Sequence, residues 1–190
     1  MSIVLASASP RRRELLAMLG VENFKIIPAV GEEVFSKEMK PCDVVCSLSI
    51  AKAEEVSLLC PITDVIIAAD TIVVMKGKIM GKPTDKTDAF HMLSVLSGKT
   101  HIVFTGVTVM KGETVYTEYE KTNVHFRDLT EREIIAYIET GEPMDKAGAY
   151  GAQGIGSLFV ESIEGDFFNV MGLPLCRLSK MLEKLGVSLI

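Results

Sequence analysis

The sequence has few cysteines and histidines, which limits the metal and redox chemistry open to it. Its 190 residues include four cysteines and three histidines, and no two cysteines form a C-x-x-C pair. Cys42 and Cys46 are one helical turn apart, a spacing that could supply two of the ligands of a metal site, but the sequence offers no obvious second pair. We expect reduced structural thiols, because a free cysteine usually behaves as a small buried hydrophobe.

Long apolar runs are missing as well. The longest, near "VIIAADTIVVM", is too short and too interrupted to cross a bilayer. The opening "MSIVLASASP" has no basic region ahead of an apolar stretch and so does not resemble a signal peptide. We therefore expect a cytoplasmic protein with no membrane partner.

Positive charge is outnumbered, with 20 lysines and arginines against 25 acidic residues and a net charge of −5. This balance does not favour a nucleic-acid-binding face, so a phosphate site must be a local positive cluster. The chain also lacks internal repeats, low-complexity tracts and linkers. With 48% hydrophobic residues, it can bury the core of one domain, which we expect to span residues 1–190.

Apolar and amphipathic segments alternate along the chain. Strands are predicted at 2–7, 24–29, 64–75, in a return strand ending before 83, in a hairpin over 101–129 turning at Lys111-Gly112, and near 158–163. Helices are predicted over the stretch that ends at Gly20, over 40–61, about 85–97, 130–141 and near 173–185. This order predicts an α/β domain with a mixed sheet.

A helix that begins with arginines is the first place where residue type departs from the local rule. In "VLASASPRRRELLAMLG" the helix starts after Ser9 and ends at Gly20, and its first turn holds Arg11, Arg12 and Arg13. The amides of that turn are already positive, so each added like charge costs a few tenths of a kcal/mol unless an anion binds there. A phosphate would reverse the effect. The alternative is a solvated basic turn paired with Glu14 or a nearby loop.

Helix geometry separates the three arginines. At 100° per residue one apolar face is predicted, made of Leu15, Leu16, Met18 and Leu19. Arg11 and Arg12 lie at its edges and Arg13 points away from it. Geometry alone therefore favours Arg11 beside Arg12 as a ligand contact.

Lys52 interrupts an apolar face of the second predicted helix. It lies in the middle of a stripe formed by Val45, Leu48, Val56 and Leu59. A buried ammonium is costly without a partner. The alternative is a snorkelling side chain, which is hard to arrange in mid-helix between apolar neighbours. We expect a functional or ion-paired lysine.

Asp70 interrupts an apolar strand in the same way. It alternates along one strand face with Ile66, Ala68, Ile72 and Val74. A buried carboxylate must neutralise, pair or bind a metal. A structural salt bridge is one interpretation. The other is a carboxylate that holds a metal or accepts a proton, since perturbed groups concentrate at active sites.

The segment "TGEPMDKAGAYGAQGIGS", residues 140–157, is rich in glycine but matches neither the G-x-x-x-x-G-K-[ST] loop nor G-x-G-x-x-G. It is either a tight chain crossing or a ligand-reading loop through Asp145, Lys146 and Gln153. Glu32-Glu33 adds carboxylates and the "GKP" at 81–83 adds a lysine. We expect structural roles for His91, His101 and His125. Cations with one or two carboxylates suit metal-assisted phosphoryl chemistry.

Several blocks resemble one known family. "SASPRRRELL", "LSIAKAEEV", "AADTIVV", "GKP", "MLSVLSGKTHIVFTGV", "TGEPMDKAGAYGAQG" and "FFNVMGLPL" are similar, in order, to those of Maf proteins, the nucleoside triphosphate pyrophosphatases. The resemblance covers essentially the whole chain. It implies a bent mixed sheet flanked by helices, as in inosine triphosphatase, with two lobes around a cleft. It also implies a homodimer that uses Mg²⁺, with Mn²⁺ and Co²⁺ as further candidates.

The resemblance implies roles for the unusual residues. Asp70 would be the proton acceptor and would hold the metal together with Glu33. The triphosphate would be held by Ser9, Arg12, Arg13, Lys52 and Lys82. Nucleotide choice would rest on Arg12, Thr71 and Gln153. The family pattern thus favours Arg13 beside Arg12, whereas helix geometry favours Arg11, and both stay open.

The implied reaction is hydrolysis of a nucleoside triphosphate to the monophosphate and pyrophosphate by metal-activated water at the α-phosphorus. Thr71 after Asp70, together with Gln153, resembles the branch that acts on dTTP and UTP, with modified pyrimidine nucleotides as further candidates in a house-cleaning role. One alternative is the same chemistry on another base, such as 7-methyl-GTP. Another is a non-enzymatic regulator of the division septum, or a nucleic-acid-binding protein, which the acidic net charge disfavours.

Overall fold

The computed structural model describes residues 1–21, 23–32, 34–36 and 38–189. Within them the strands are β1 (Ile3–Leu5), β2 (Lys25–Ile26), β3 (Val65–Met75), β4 (Lys78–Met80), β5 (Thr100–Lys111), β6 (Thr114–Phe126) and β7 (Val160–Glu164). The helices are α1 (Pro10–Met18), α2 (Pro41–Ser57), α3 (Lys86–Leu96), α4 (Glu131–Glu139), α5 (Phe167–Met171) and α6 (Leu175–Lys184). Short 3₁₀ turns lie at Glu142–Asp145, Ala147–Ala149 and Ile155–Phe159.

The strands form one mixed sheet in the order β2-β1-β3-β5-β6-β7, and β4 pairs with β3. β1 is parallel to β2 and β3, whereas β4 is antiparallel to β3 and β7 is antiparallel to β6. The predicted α/β class with a mixed sheet flanked by helices is confirmed. The structure differs in detail: β1 and β2 are shorter than predicted, α2 ends at Ser57, and α5 was not predicted.

Capping side chains define where several helices begin. The Ser9 hydroxyl accepts a hydrogen bond from the Arg12 amide at the start of α1. At α4, Thr130 and Glu133 form the capping box that their spacing predicts, since each side chain accepts from the other residue's backbone amide. No described helix is long and apolar enough to span a bilayer.

Contacts divide the chain into two compact units. The first unit comprises Met1–Asp70, Thr105–Glu120 and Gly172–Ile190, and the second comprises Thr71–Phe104 and Lys121–Met171. One boundary therefore falls between Asp70 and Thr71, inside β3. The prediction of a single domain, like that of two lobes around a cleft, stays a prediction.

Each unit has its own buried apolar cluster. In the first unit α2 packs on β1 and β3 through Val4, Ala6, Ala53, Val56, Ile66 and Ala68. The second unit is built around aromatic side chains in edge-to-face contact, among them Phe126 with Tyr150 and Tyr137 with Phe159, whose ring centroids are 4.7 Å and 4.9 Å apart. Tyr150 of this aromatic cluster belongs to the glycine-rich segment.

The strands at the two ends of the sheet order are short or charged. β2 has only two residues. β7 has the sequence VESIE, and its Glu161 and Glu164 are exposed. The Glu161 carboxylate lies 3.3 Å from His125 Nε2, and Glu164 accepts a hydrogen bond from Asn123 Nδ2 at 3.0 Å.

Candidate active site

Arg12 is oriented by two neutral partners within the first unit. Its Nε donates to the carbonyl oxygen of Gly172 at 2.8 Å, and its Nη1 donates to the Ser7 hydroxyl at 3.2 Å. These two bonds orient the guanidinium. The Ser7 hydroxyl also accepts from the Ser9 amide at 3.2 Å, so one hydroxyl links the loop before α1 to Arg12.

The other arginines of the turn differ in exposure. Arg11 is half-buried, as Arg12 is, whereas Arg13 is exposed. Which of them joins Arg12 at a phosphate stays a prediction. The predicted apolar face is confirmed for Leu15 and Leu16, but it is wrong for Met18, which is 66% exposed because it is the last residue of α1.

Lys52 and Asp70 form a partly buried ion pair within the first unit. Lys52 Nζ donates a hydrogen bond to Asp70 Oδ1, and the side chains are 18% and 8% exposed. The expectation of an ion-paired lysine is confirmed. The prediction that Leu59 belongs to the apolar face around Lys52 is wrong. Leu59 is 67% exposed because α2 ends two residues earlier.

The environment of Asp70 follows from the position of β3 inside the sheet. The four residues that share its face are buried, and so are most residues of the opposite face. A strand that is buried on both faces is nearly continuous in apolar residues. Asp70 is the one charged residue of this strand, and Thr71 is its one half-buried member. The two residues with predicted roles are thus the two that depart from the strand's pattern.

A close approach of helix and sheet places α2, and with it Lys52. A Cβ on Gly106 in β5 would overlap the Val45 carbonyl and lie 2.8 Å from the Cys46 amide nitrogen, so only glycine fits. The Ser49 hydroxyl lies 2.8 Å from that of Thr108 on β5. Sequence reasoning missed both contacts, although a glycine inside a strand pattern signals a close backbone approach.

The loop after β2 is held by Glu55, three residues beyond Lys52 on α2. One Glu55 oxygen accepts from the Val30 amide at 2.8 Å and the other from the Gly31 amide at 3.0 Å. The predicted metal ligand Glu33 lies outside the described residues. Among the residues described, no three or more His, Cys, Asp or Glu side chains are grouped to hold a metal ion. The metal set of Glu33 and Asp70 stays a prediction.

The remaining predicted site residues belong to the second unit. Lys82 is exposed just after β4, and Thr71 is half-buried in β3. Gln153 is exposed on the loop before the 3₁₀ turn Ile155–Phe159. Lys146, a candidate ligand contact, instead donates to the Glu142 carbonyl at 2.5 Å and to Asp145 at 2.7 Å.

His101 is part of the aromatic cluster of the second unit. It is 1% exposed, and its Nε2 lies 2.7 Å from the Tyr150 hydroxyl. Burial lowers the pKa of His101 from its ordinary 6.5 to about 4, so the ring is neutral near pH 7. This position supports a structural role for His101.

Comparisons with known proteins identify the family of this chain. The model of the family described as Maf-like protein matches residues 2–185. The chain is 48% identical to a protein of Agathobacter rectalis named dTTP/UTP pyrophosphatase, over 97% of this chain and 98% of that protein. It is 48% identical to a Bacillus pumilus protein of the same name, over 98% of this chain and 97% of that protein.

Among solved structures, the Staphylococcus aureus Ham1 protein is similar with a TM-score of 0.48 and 12% identity, over 67% of this chain and 73% of that chain. The family match and the two relatives span nearly the whole sequence. The range that the family model matches includes the positions of the arginine turn, of Lys52 and Asp70, and of the glycine-rich segment. This chain belongs to the Maf-like protein family.

Proposed function

We propose that this protein hydrolyses dTTP and UTP to the nucleoside monophosphate and pyrophosphate. The observation that carries the proposal is the ion pair of half-buried Lys52 with buried Asp70. This pair places a proton acceptor and a cationic hydrogen-bond donor side by side, which are the two groups that attack by water on a phosphate requires. The relatives named dTTP/UTP pyrophosphatase support the substrate class.

In the proposed reaction Asp70 is the general base. It accepts a proton from water as the water oxygen bonds to the α-phosphorus, and the bond from that phosphorus to the bridging oxygen breaks. The electron pair leaves with pyrophosphate. Lys52 donates a hydrogen bond to Asp70 and is close enough to donate to a phosphate oxygen bound beside it. General-base catalysis contributes about 10²–10⁴-fold, and preorganised donors to the phosphate oxygens supply much of the remainder.

The positive groups give the triphosphate its binding site in this proposal. Ser9, Arg12 and Arg13 stand at the N-terminus of α1, where backbone amides also favour an anion. Lys52 and Lys82 add ammonium groups. The hydrogen bonds from Arg12 to the Gly172 carbonyl and the Ser7 hydroxyl support its role, because they orient the guanidinium at the start of α1. Arg12, Thr71 and Gln153 would choose the nucleotide.

A divalent cation, Mg²⁺ first and Mn²⁺ or Co²⁺ as further candidates, is part of the proposal. The donor chemistry fits, because Mg²⁺ is commonly held by one or two carboxylates together with substrate phosphates, and Asp70 provides a buried carboxylate. Asp70 would hold the ion, with Glu33 as the second ligand. When bound, the ion would neutralise triphosphate charge and polarise the α-phosphorus. We further propose a cytoplasmic homodimer.

Product analysis with dTTP, UTP and 7-methyl-GTP in the presence of Mg²⁺ tests the proposal. We expect pyrophosphate and the monophosphate from dTTP and UTP, and a loss of at least about 100-fold in kcat for Asp70→Asn. Asp64→Asn is the matched control. Asp64 is also buried in the first unit and ion-paired, to Lys25 at 3.1 Å, but the proposal gives it no role. Equal turnover by Asp70→Asn and the wild type would refute the assignment.

A further inference from the structure

The carboxylate of Glu142 binds three donors at the base of the loop that carries Gln153. Oε1 accepts from the Tyr137 hydroxyl at 2.9 Å and from the Gly156 amide at 3.1 Å. Oε2 accepts from the Ile155 amide at 3.1 Å. Two of these donors are the first amides of a 3₁₀ turn, which have no partner inside the turn. Glu142 therefore fixes where the loop ends.

Tyr137 fixes where the same loop begins. Its hydroxyl donates to Glu142 and accepts from the Gly151 amide at 3.2 Å. Tyr137 lies in α4, is 2% exposed, and packs its ring edge-to-face on Phe159. Both ends of the loop 151–156 are thus tied to one pair of side chains, and that pair is anchored in the buried aromatic cluster.

The loop 151–156 packs closely against Glu142 and Tyr137. Gly154 has φ 84° and ψ −151°, a conformation essentially reserved for glycine, and a Cβ there would lie 2.9 Å from Glu142 Oε2. A Cβ on Gly156 would lie 2.6 Å from the Tyr137 hydroxyl. Gln153 is exposed at the tip and forms no side-chain hydrogen bond with another described residue. Its position is therefore set by the loop backbone.

We infer that Glu142, together with Tyr137, is a positioning residue for nucleotide choice. By holding the loop 151–156 the pair presents the Gln153 amide, which can donate and accept at once, to the edge of a pyrimidine base. The inference rests on the proposed function, because it takes Gln153 as the group that meets the base. Glu142 acts through Gln153 and touches no reacting atom.

The inference separates recognition of the base from recognition of the phosphates. In Glu142→Gln the carboxamide oxygen can replace one acceptor, but its NH₂ group then faces the Ile155 amide, a second donor. Tyr137→Phe removes the hydroxyl that joins Glu142 to Gly151. In both variants we expect the KM for UTP and dTTP to rise about tenfold while kcat stays within about twofold.

A base-free competitor shows whether the effect is specific. Inorganic tripolyphosphate is used as an inhibitor of UTP hydrolysis, and its Ki should change less than twofold in both variants. Glu139→Gln is the matched control, since Glu139 lies on α4 but is exposed and paired with Lys86 at 3.0 Å. Hydrogen exchange supplies a readout besides activity. The amides of Gly151, Ile155 and Gly156 should exchange at least tenfold faster in Glu142→Gln.

The outcomes distinguish this inference from the proposed function. A wild-type protein that hydrolyses neither dTTP nor UTP would overturn the proposed function, and with it the inference. An active wild type whose KM is unchanged by Glu142→Gln and Tyr137→Phe would overturn the inference alone. An equal increase in the KM for UTP and in the Ki for tripolyphosphate would also overturn the inference, since that pattern indicates a general distortion of the site.

Discussion

Replacing Lys52 with methionine removes one charge of the buried pair and keeps an apolar side chain of nearly the same length. Asp70 is then an 8% exposed carboxylate without the ammonium that Lys52 supplies. Breaking a buried ion pair by removing one partner costs about 3–5 kcal/mol. Because Lys52 is 18% exposed and the site admits some water, we expect a loss near the lower end, about 3 kcal/mol in the free energy of unfolding.

A second substitution shows whether the loss comes from the pair. Lys52→Met/Asp70→Asn removes both charges of the pair, so we expect the double variant to recover most of the stability that Lys52→Met loses. Replacing both members of a buried pair is often close to neutral. Urea unfolding followed by circular dichroism measures all four members of the cycle, with the slope m as a check that the unfolded states are comparable.

The pair of Lys25 and Asp64 is the matched control for this cycle. Lys25 is 53% exposed, and Asp64 keeps the hydrogen bond from the Ser2 amide when Lys25 is replaced. Lys25→Met should therefore change stability far less than Lys52→Met. The reasoning is refuted if Lys52→Met loses less than about 1 kcal/mol, or if the double variant is no more stable than Lys52→Met.

Two further predictions concern packing and pH. Gly106→Ala would force α2 away from β5, so we expect a loss of about 1–3 kcal/mol and reduced dTTP turnover. Gly81→Ala is the control: no atom lies within 4 Å of the added Cβ, so its free energy of unfolding in urea should equal that of the wild type. Equal stability of Gly106→Ala and Gly81→Ala would contradict this argument. Stability should fall as pH drops from 6.5 to about 4, by up to about 3 kcal/mol, because the unfolded chain binds a proton that buried His101 resists. Above pH 6.5 this contribution is constant, and His101→Gln should flatten the acid limb of a plot of unfolding free energy against pH.

Sequence patterns identified the unusual residues of the site but not their partners. Lys52 and Asp70 each stood out because a charge interrupted an apolar period on a helix and on a strand. The two are 18 residues apart, and their pairing depends on how closely α2 packs on the sheet at Gly106. Periodicity describes the surroundings of one element at a time, so it predicts that a partner exists without naming it.

The errors have a similar cause. Met18 and Leu59 were assigned to buried faces because the period continues through them, but each stands where its helix ends. The part played by Glu142 was not predicted, since its donors are mostly backbone amides of a loop with a positive-φ glycine. Such contacts follow from backbone conformation and produce no periodic pattern of residue types in the sequence.

The charge on β7 has a consequence for the protein at high concentration. An unpaired outer strand is a template on which another chain can extend the sheet. A second β7 that approached in antiparallel register would bring glutamates of both chains together, and like charges opposite one another are destabilising. With only two residues in β2 at the other end of the order, strand-to-strand growth into fibrils is disfavoured at both ends of the sheet.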